Sequence, residues 1–221
     1  MKMTIRKTLS AVTGAALALT LTGAITAITP ATAAVNTNYA TSTLIGGGVA
    51  PTSVGAPTTA PANTIAADGK GGYYYTETLS SRIRHVDAKG KNVIVAGTGY
   101  TRKTRPNCKA WDVPALQACL WLPHGVTMDT DGGIIITDTF NNVVTKLGKD
   151  GILRRLAGNG KQCYPFGANC GVGGSALNAM VDRPTITRRT SQGLVISDTG
   201  NRILLVKNGI MLKIVGTGIP G

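Results

Sequence analysis

An all-β fold of serially repeated four-stranded sheets is predicted by three observations. The chain matches itself at a period of about 60 residues. Each unit holds four short strand-like runs separated by turn residues. The second run is apolar at consecutive positions, as in Ile134-Ile135-Ile136 and Leu194-Val195-Ile196. Alternation would mean one wet face, whereas a continuous run means that both faces are covered. Four-stranded sheets covered on both faces and repeated in series are the blades of a β-propeller.

The units span residues 64–99, 125–160 and 185–218, and each ends on Gly-x-Gly. Glu77, Asp138 and Asp198 fall in register, as do Gly97, Gly158 and Gly216. In the second unit the predicted strands are 126–129, 134–138, 143–147 and 153–157. They are separated by Thr130-Asp131-Gly132-Gly133, Asn141-Asn142 and Lys149-Asp150-Gly151, which carry turn chemistry. Residues 41–48, "TSTLIGGG", match the fourth strand of a unit and are expected to complete a final blade. Ungapped alignment sets Arg188-Arg189 of the third unit against Met128-Asp129 of the second, and the third unit's turn after its second strand is one residue shorter. Asp138 and Asp198 are expected to cap the amides of their own turns.

The "ITDTFNNVV…DGILRRLAGNG" and "ISDTGNRILLV…KIVGTG" segments resemble NHL repeats, with Asp-Thr-x-Asn before the third strand and Ala-Gly-x-Gly after the fourth. The first unit departs from the pattern, with Glu77-Thr78-Leu79-Ser80 at the turn. The resemblance implies a propeller of four-stranded NHL-type blades over residues 35–221, three of them visible, as part of a six-bladed ring. Closed rings need about four to eight blades. The chain is therefore expected to belong to a longer propeller, or to close by association with other copies.

Residues 1–34 read as a secretory signal: a basic start, an uncharged apolar run, and small residues at Ala31-Thr32-Ala33 or Thr32-Ala33-Ala34 for cleavage. An uncleaved anchor is the alternative, since the run is nearly long enough to span a bilayer. Cleavage leaves about 187 residues, one domain's worth, and no stable membrane span. The chain's formal charge is +13, and without Lys2, Arg6 and Lys7 it is about +10. A basic exported protein meets anionic neighbours such as wall polymers or acidic polysaccharides, although the charge also serves solubility. Cys108, Cys119, Cys163 and Cys170 are an even set in an exported chain, which points to disulfides. The local pairs Cys108–Cys119 and Cys163–Cys170 are preferred, because each pair lies in one connection between units.

Those connections, residues 99–123 and 160–184, exceed ordinary loop lengths and are expected to form ordered flaps on one face. The first carries Arg102, Lys103, Arg105 and Lys109, followed by Trp111 and Trp121. That set suits an anionic polymer or a protein ligand, with ring stacking available. A solvated, disulfide-pinned loop whose Trp covers a blade edge is the alternative. NHL-type propellers that bind RNA act inside cells, and the basic residues here are scattered, so nucleic acid ranks lower as a partner.

His124 precedes the first strand of the second unit, where a propeller's channel mouth would lie, and joins the proposed binding residues. "LPHGVTMDTDGGIIITD" also resembles peptidylglycine amidating lyases, which implies His124 as one of three histidine ligands to zinc. The matching positions in the other units are Asn63 and Pro184, and the only other histidine, His85, falls in a third strand. A turn leading into a strand is the other reading of Pro-His-Gly. Asp129-Thr130-Asp131-Gly132 reads as a hairpin turn, since a calcium loop needs six or more oxygens. Glu77 is the only glutamate, which argues against a sugar-lactonase type of metal site. No Ser-His-Asp or paired-carboxylate arrangement can be assembled. Non-catalytic binding at the cell envelope or outside it is the expected role, with a metal-dependent lyase as the alternative.

Overall fold

A computed structural model describes residues 6–7, 19–20, 62–100, 104, 107–165 and 168–219. The chain divides into two units, Met1–Ser42 and Thr43–Gly221. In the first, β1 (Arg6–Lys7) pairs antiparallel with β2 (Leu19–Thr20). The rest of the signal segment, residues 41–48, and Arg102, Lys103 and Arg105 lie outside the described residues.

The second unit holds three antiparallel sheets in chain order. Sheet one is β3 (Ile65–Ala67), β4 (Tyr73–Glu77), β5 (Arg82–Val86) and β6 (Asn92–Ala96). Sheet two has β7 (Val113–Pro114) on its outer edge beside β11 (Ile152–Ala157). Then come β10 (Val143–Leu147), β9 (Ile134–Asp138) and β8 (Gly125–Met128). Sheet three is β12 (Pro184–Thr190), β13 (Gly193–Asp198), β14 (Arg202–Lys207) and β15 (Ile210–Val215). Each sheet is a meander, so the turns after its first and third strands lie at one end. The turn after its second strand and the long connections lie at the other. These are called the turn end and the connection end below. Among the described residues the three sheets do not close a ring.

The sheets pack face to face through two cores. Ile134 and Ile136 join Val126, Leu153, Ile83 and Ala96 between sheets one and two. Ile135, between them, joins Val144, Ala157, Leu194, Ile196, Leu204 and Met211 between sheets two and three. Neighbouring strand residues point to opposite faces, so the consecutive isoleucines serve both interfaces. The connections are more than flaps, because they supply core residues. Ala115, Ala118 and Leu120 enter the first core, and Ala176, Ala179 and Val181 the second. The disulfides Cys108–Cys119 and Cys163–Cys170 tie these wedges together.

The repeat extends to local geometry. Ser81, Asn142 and Asn201 adopt left-handed backbone at the turn before each third strand. The register shifts at Ile83/Arg84, Val144/Thr145 and Ile203/Leu204 in the same way. Thr78 and Thr139 each donate a hydroxyl to the proline carbonyl that opens the next sheet, Pro123 and Pro184, at 2.8 Å. A side chain at Gly125 would strike the Thr137 hydroxyl and come within 2.6 Å of the Thr185 carbonyl. This position therefore needs glycine, which lets β8 and β12 approach. One irregularity is confined to sheet three: a shift between Pro184 and Ile186 puts Arg189 opposite Leu194, as Met128 is opposite Ile134. The ungapped alignment is thus corrected, with Arg189 taking the place of Met128.

Candidate functional site

At the connection end the carboxylates turn inward. Asp138 accepts the Trp121 amide and the Asn141 side-chain amide, both at 2.7 Å. Asp198 accepts the Asp182 amide at 3.2 Å and pairs with Arg202. These aspartates thus hold the incoming connection as well as their own sheet, which the sequence reading of simple turn caps had not included. Glu77 pairs with Arg84 at 3.0 Å, and Asp182 with Arg183 at 3.3 Å. Glu77, Asp138, Asp182 and Asp198 are all buried. The basic groups stay accessible: Lys109 and Lys161 are exposed, and Arg183 is partly so. Asp112, the exposed carboxylate of the first connection, lies along the middle of β11, where its amide donates to the Leu153 carbonyl at 2.7 Å.

The described members of the predicted site are split across sheet two. Trp111 lies at the outer edge, with the Arg155 guanidinium 5.2 Å from its ring centroid, a distance at which cation and ring attract. Trp121 lies at the other side, anchored through Asp138 on β9, with its ring 5.7 Å from that of the partly exposed Phe140. His124 follows at the start of β8. The connection end thus presents two aromatic patches rather than one, with Lys109 beside the first disulfide.

His124 is held by its main chain. Its amide donates to the Thr137 carbonyl at 3.2 Å, and its carbonyl accepts the Thr64 hydroxyl at 3.0 Å. Burial pushes its imidazole pKa below the ordinary value. His85 sits towards the opposite end of sheet one, with Nε2 2.8 Å from Asp68 Oδ2 and its ring stacked on Tyr74. The two histidines therefore do not converge. Among the described residues no group of three or more His, Cys, Asp or Glu is placed to hold a metal. Among the described residues, His124 does not belong to a three-ligand set of the kind a zinc centre uses. Replacing His124 by Ala is expected to change the unfolding free energy by less than about 1 kcal/mol. Urea unfolding checks this, and a loss of several kcal/mol would assign the ring a structural role.

The turn end carries a cluster that sequence reasoning missed. Asp129 receives Arg189 from sheet three at 2.8 and 3.1 Å and Lys146 from its own sheet at 2.7 Å. Lys146 also reaches Asp131 at 2.6 Å. The Arg189 guanidinium, with Lys146 beside it, holds Asp129 well below the usual carboxylate range despite its burial. These groups line an open depression of about 460 Å³ with Thr190, Ser191 and Gln192. The Asp129–Gly133 turn is the expected hairpin, closed by the Asp129 amide on the Gly133 carbonyl at 2.8 Å. The sequence signals for the cluster were Asp129 and Asp131, read only as a hairpin turn, and Arg189, whose position the shift in β12 disguised.

No family model matches the chain, and no curated protein does. The fold is similar to several solved β-propeller-like structures. Virginiamycin B lyase from Staphylococcus aureus matches at 19% identity over 72% of this chain and 42% of that one, with a TM-score of 0.44. A gluconolactonase from Xanthomonas campestris matches at 8% identity over 70% and 47%, with a TM-score of 0.47. An auxiliary nutrient binding protein from Bacteroides thetaiotaomicron matches at 16% identity over 58% and 32%, with a TM-score of 0.43. The chain spans less than half the length of each of these structures.

Proposed function

We propose that this chain is an exported, NHL-type propeller module that binds an anionic polymer at its connection end without catalysing a reaction. The observation that carries this reading is the inward turn of the carboxylates there. Glu77, Asp138, Asp182 and Asp198 are buried, while Lys109, Lys161 and Arg183 reach solvent. An approaching anion meets accessible cations there, and Asp112 is the one exposed carboxylate among the described residues of the two connections. At the turn end, by contrast, the exposed carboxylates Asp131 and Asp150 stand beside Lys146 and Arg154. Trp121 and Phe140 add an aromatic surface on which a sugar or ring could lie. The two disulfides suit an oxidising compartment, which supports export.

Dextran sulfate, with neutral dextran as control, tests the reading. Binding is expected to be salt-sensitive, and Lys109→Glu combined with Lys161→Glu should weaken it at least about tenfold, equivalent to about 1.4 kcal/mol. Lys149→Glu combined with Lys207→Glu, at the turn end, should leave it nearly unchanged. Equal weakening by both pairs would show attraction by total charge alone and end the proposal.

A further inference from the structure

One hydrogen-bond frame is built twice at the connection end. On sheet one the Thr78 hydroxyl holds the Pro123 carbonyl, and the Leu122 amide donates to the Ser81 hydroxyl at 3.3 Å. On sheet two the Thr139 hydroxyl holds the Pro184 carbonyl, and the Arg183 amide donates to the Asn142 side chain at 3.0 Å. Leu122 and Arg183 share left-handed backbone, at φ +45° and +42°. The frame thus brings the residue before each proline against the turn that follows the preceding sheet's second strand.

The side chains carried on the two frames differ. Between sheets one and two the turn offers Leu79 and the connection Leu122. Between sheets two and three the same positions hold Phe140 and Arg183. The frame does not require this exchange, because its bonds are the same in both places and neither Phe140, at 37% exposed, nor the Arg183 side chain, at 42%, is buried. Two further contacts set their surroundings. The Phe140 amide donates to the Trp121 carbonyl at 3.1 Å, beside the paired rings. Fully buried Asp182 accepts Arg183 Nε at 3.3 Å, which leaves Nη1 and Nη2 without a partner among the described residues.

A ring pair and a guanidinium fork therefore flank one turn, residues 139–142. The fork suits a planar carboxylate, which accepts two parallel hydrogen bonds. The rings suit the apolar C–H face of a sugar, held by dispersion. We infer that the ligand is an acidic polysaccharide, with a sugar ring on Phe140 and Trp121 and that sugar's carboxylate on Arg183. This rests on the binding role proposed above and narrows its ligand from any anionic polymer to one made of sugar acids. A polymer with charge but no rings would engage the cations alone.

Two probes test this on the full chain: polygalacturonate, a polymer of sugar acids, and polyacrylate, which carries carboxylates without rings. Phe140→Ala is expected to weaken polygalacturonate at least about tenfold and polyacrylate by less than about twofold. Arg183→Lys keeps a cation beside Asp182 but removes the fork, and should weaken polygalacturonate at least about fivefold. With Trp111→Phe, Trp121 is the chain's only tryptophan, and its fluorescence should respond to polygalacturonate but not to polyacrylate. Equal weakening of both polymers by Phe140→Ala would overturn the inference by making the ring a support for the cations. No weakening of either would overturn it by making binding a matter of charge. Dextran sulfate separates this from the broader proposal. A wild type that binds dextran sulfate but not polygalacturonate overturns the sugar-acid inference alone, whereas one that binds neither overturns both.

Discussion

Arg202→Ala is expected to lower the unfolding free energy by about 3–5 kcal/mol, the cost of leaving one member of a buried ion pair alone. The side chains of Arg202 and Asp198 are 2% and 0% exposed. Two guanidinium nitrogens donate to the two carboxylate oxygens. Asp198 also accepts the Asp182 amide, so an uncompensated charge there would pull at the connection as well as the sheet. Sheet two uses apolar Val143 at the matching place and satisfies Asp138 with Asn141. The guanidinium is thus one of two solutions to the same burial problem. Urea unfolding followed by circular dichroism measures the effect, and a loss below about 1 kcal/mol would show that water reaches Asp198.

Gly158→Ala should cost about 2–5 kcal/mol, from a left-handed backbone at roughly 1–2 and overpacking at roughly 1–3. Gly158 has φ +85°, and an added Cβ would strike the Asn142 carbonyl oxygen and lie 2.9 Å from Val181. Gly97 meets the Ser81 carbonyl and Gly216 the Asn201 carbonyl in the same way. The glycine that closes each unit thus lets the chain leave the fourth strand across the turn before the third. Gly151→Ala provides the contrast, because φ is +76° there but nothing lies within 4 Å. Only the conformational cost, about 1 kcal/mol, should remain. Equal losses at the two positions would show that the close approach at Gly158 relaxes without cost.

The contrast between these glycines marks how much was legible in advance. The Gly-x-Gly endings stood out as repeats, and periodicity alone located the strands of the second unit to within a residue or so. Local cysteine pairing was readable because each pair shares one connection. The shift in β12 was not readable. It depends on how Pro184 meets Asp198 and on Thr185 facing sheet two, and no pattern within residues 184–190 announces it. Trp111 and Trp121 have different neighbours, Arg155 and Phe140, for a related reason. Residues ten apart in an irregular connection can reach opposite edges of one sheet, and strand pairing alone decides where each lands.

The sequence by itself determined the strand content, the repeat, the two-sided burial of the middle sheet and the local disulfides, because these depend on residue character at short range. Only the tertiary structure decided which charges face water. It turned four carboxylates of the connection end inward and joined Asp129 to Arg189 across two sheets. The Asp129–Arg189 pair joins residues 60 positions apart, a separation bridged by sheet packing and not by any local pattern.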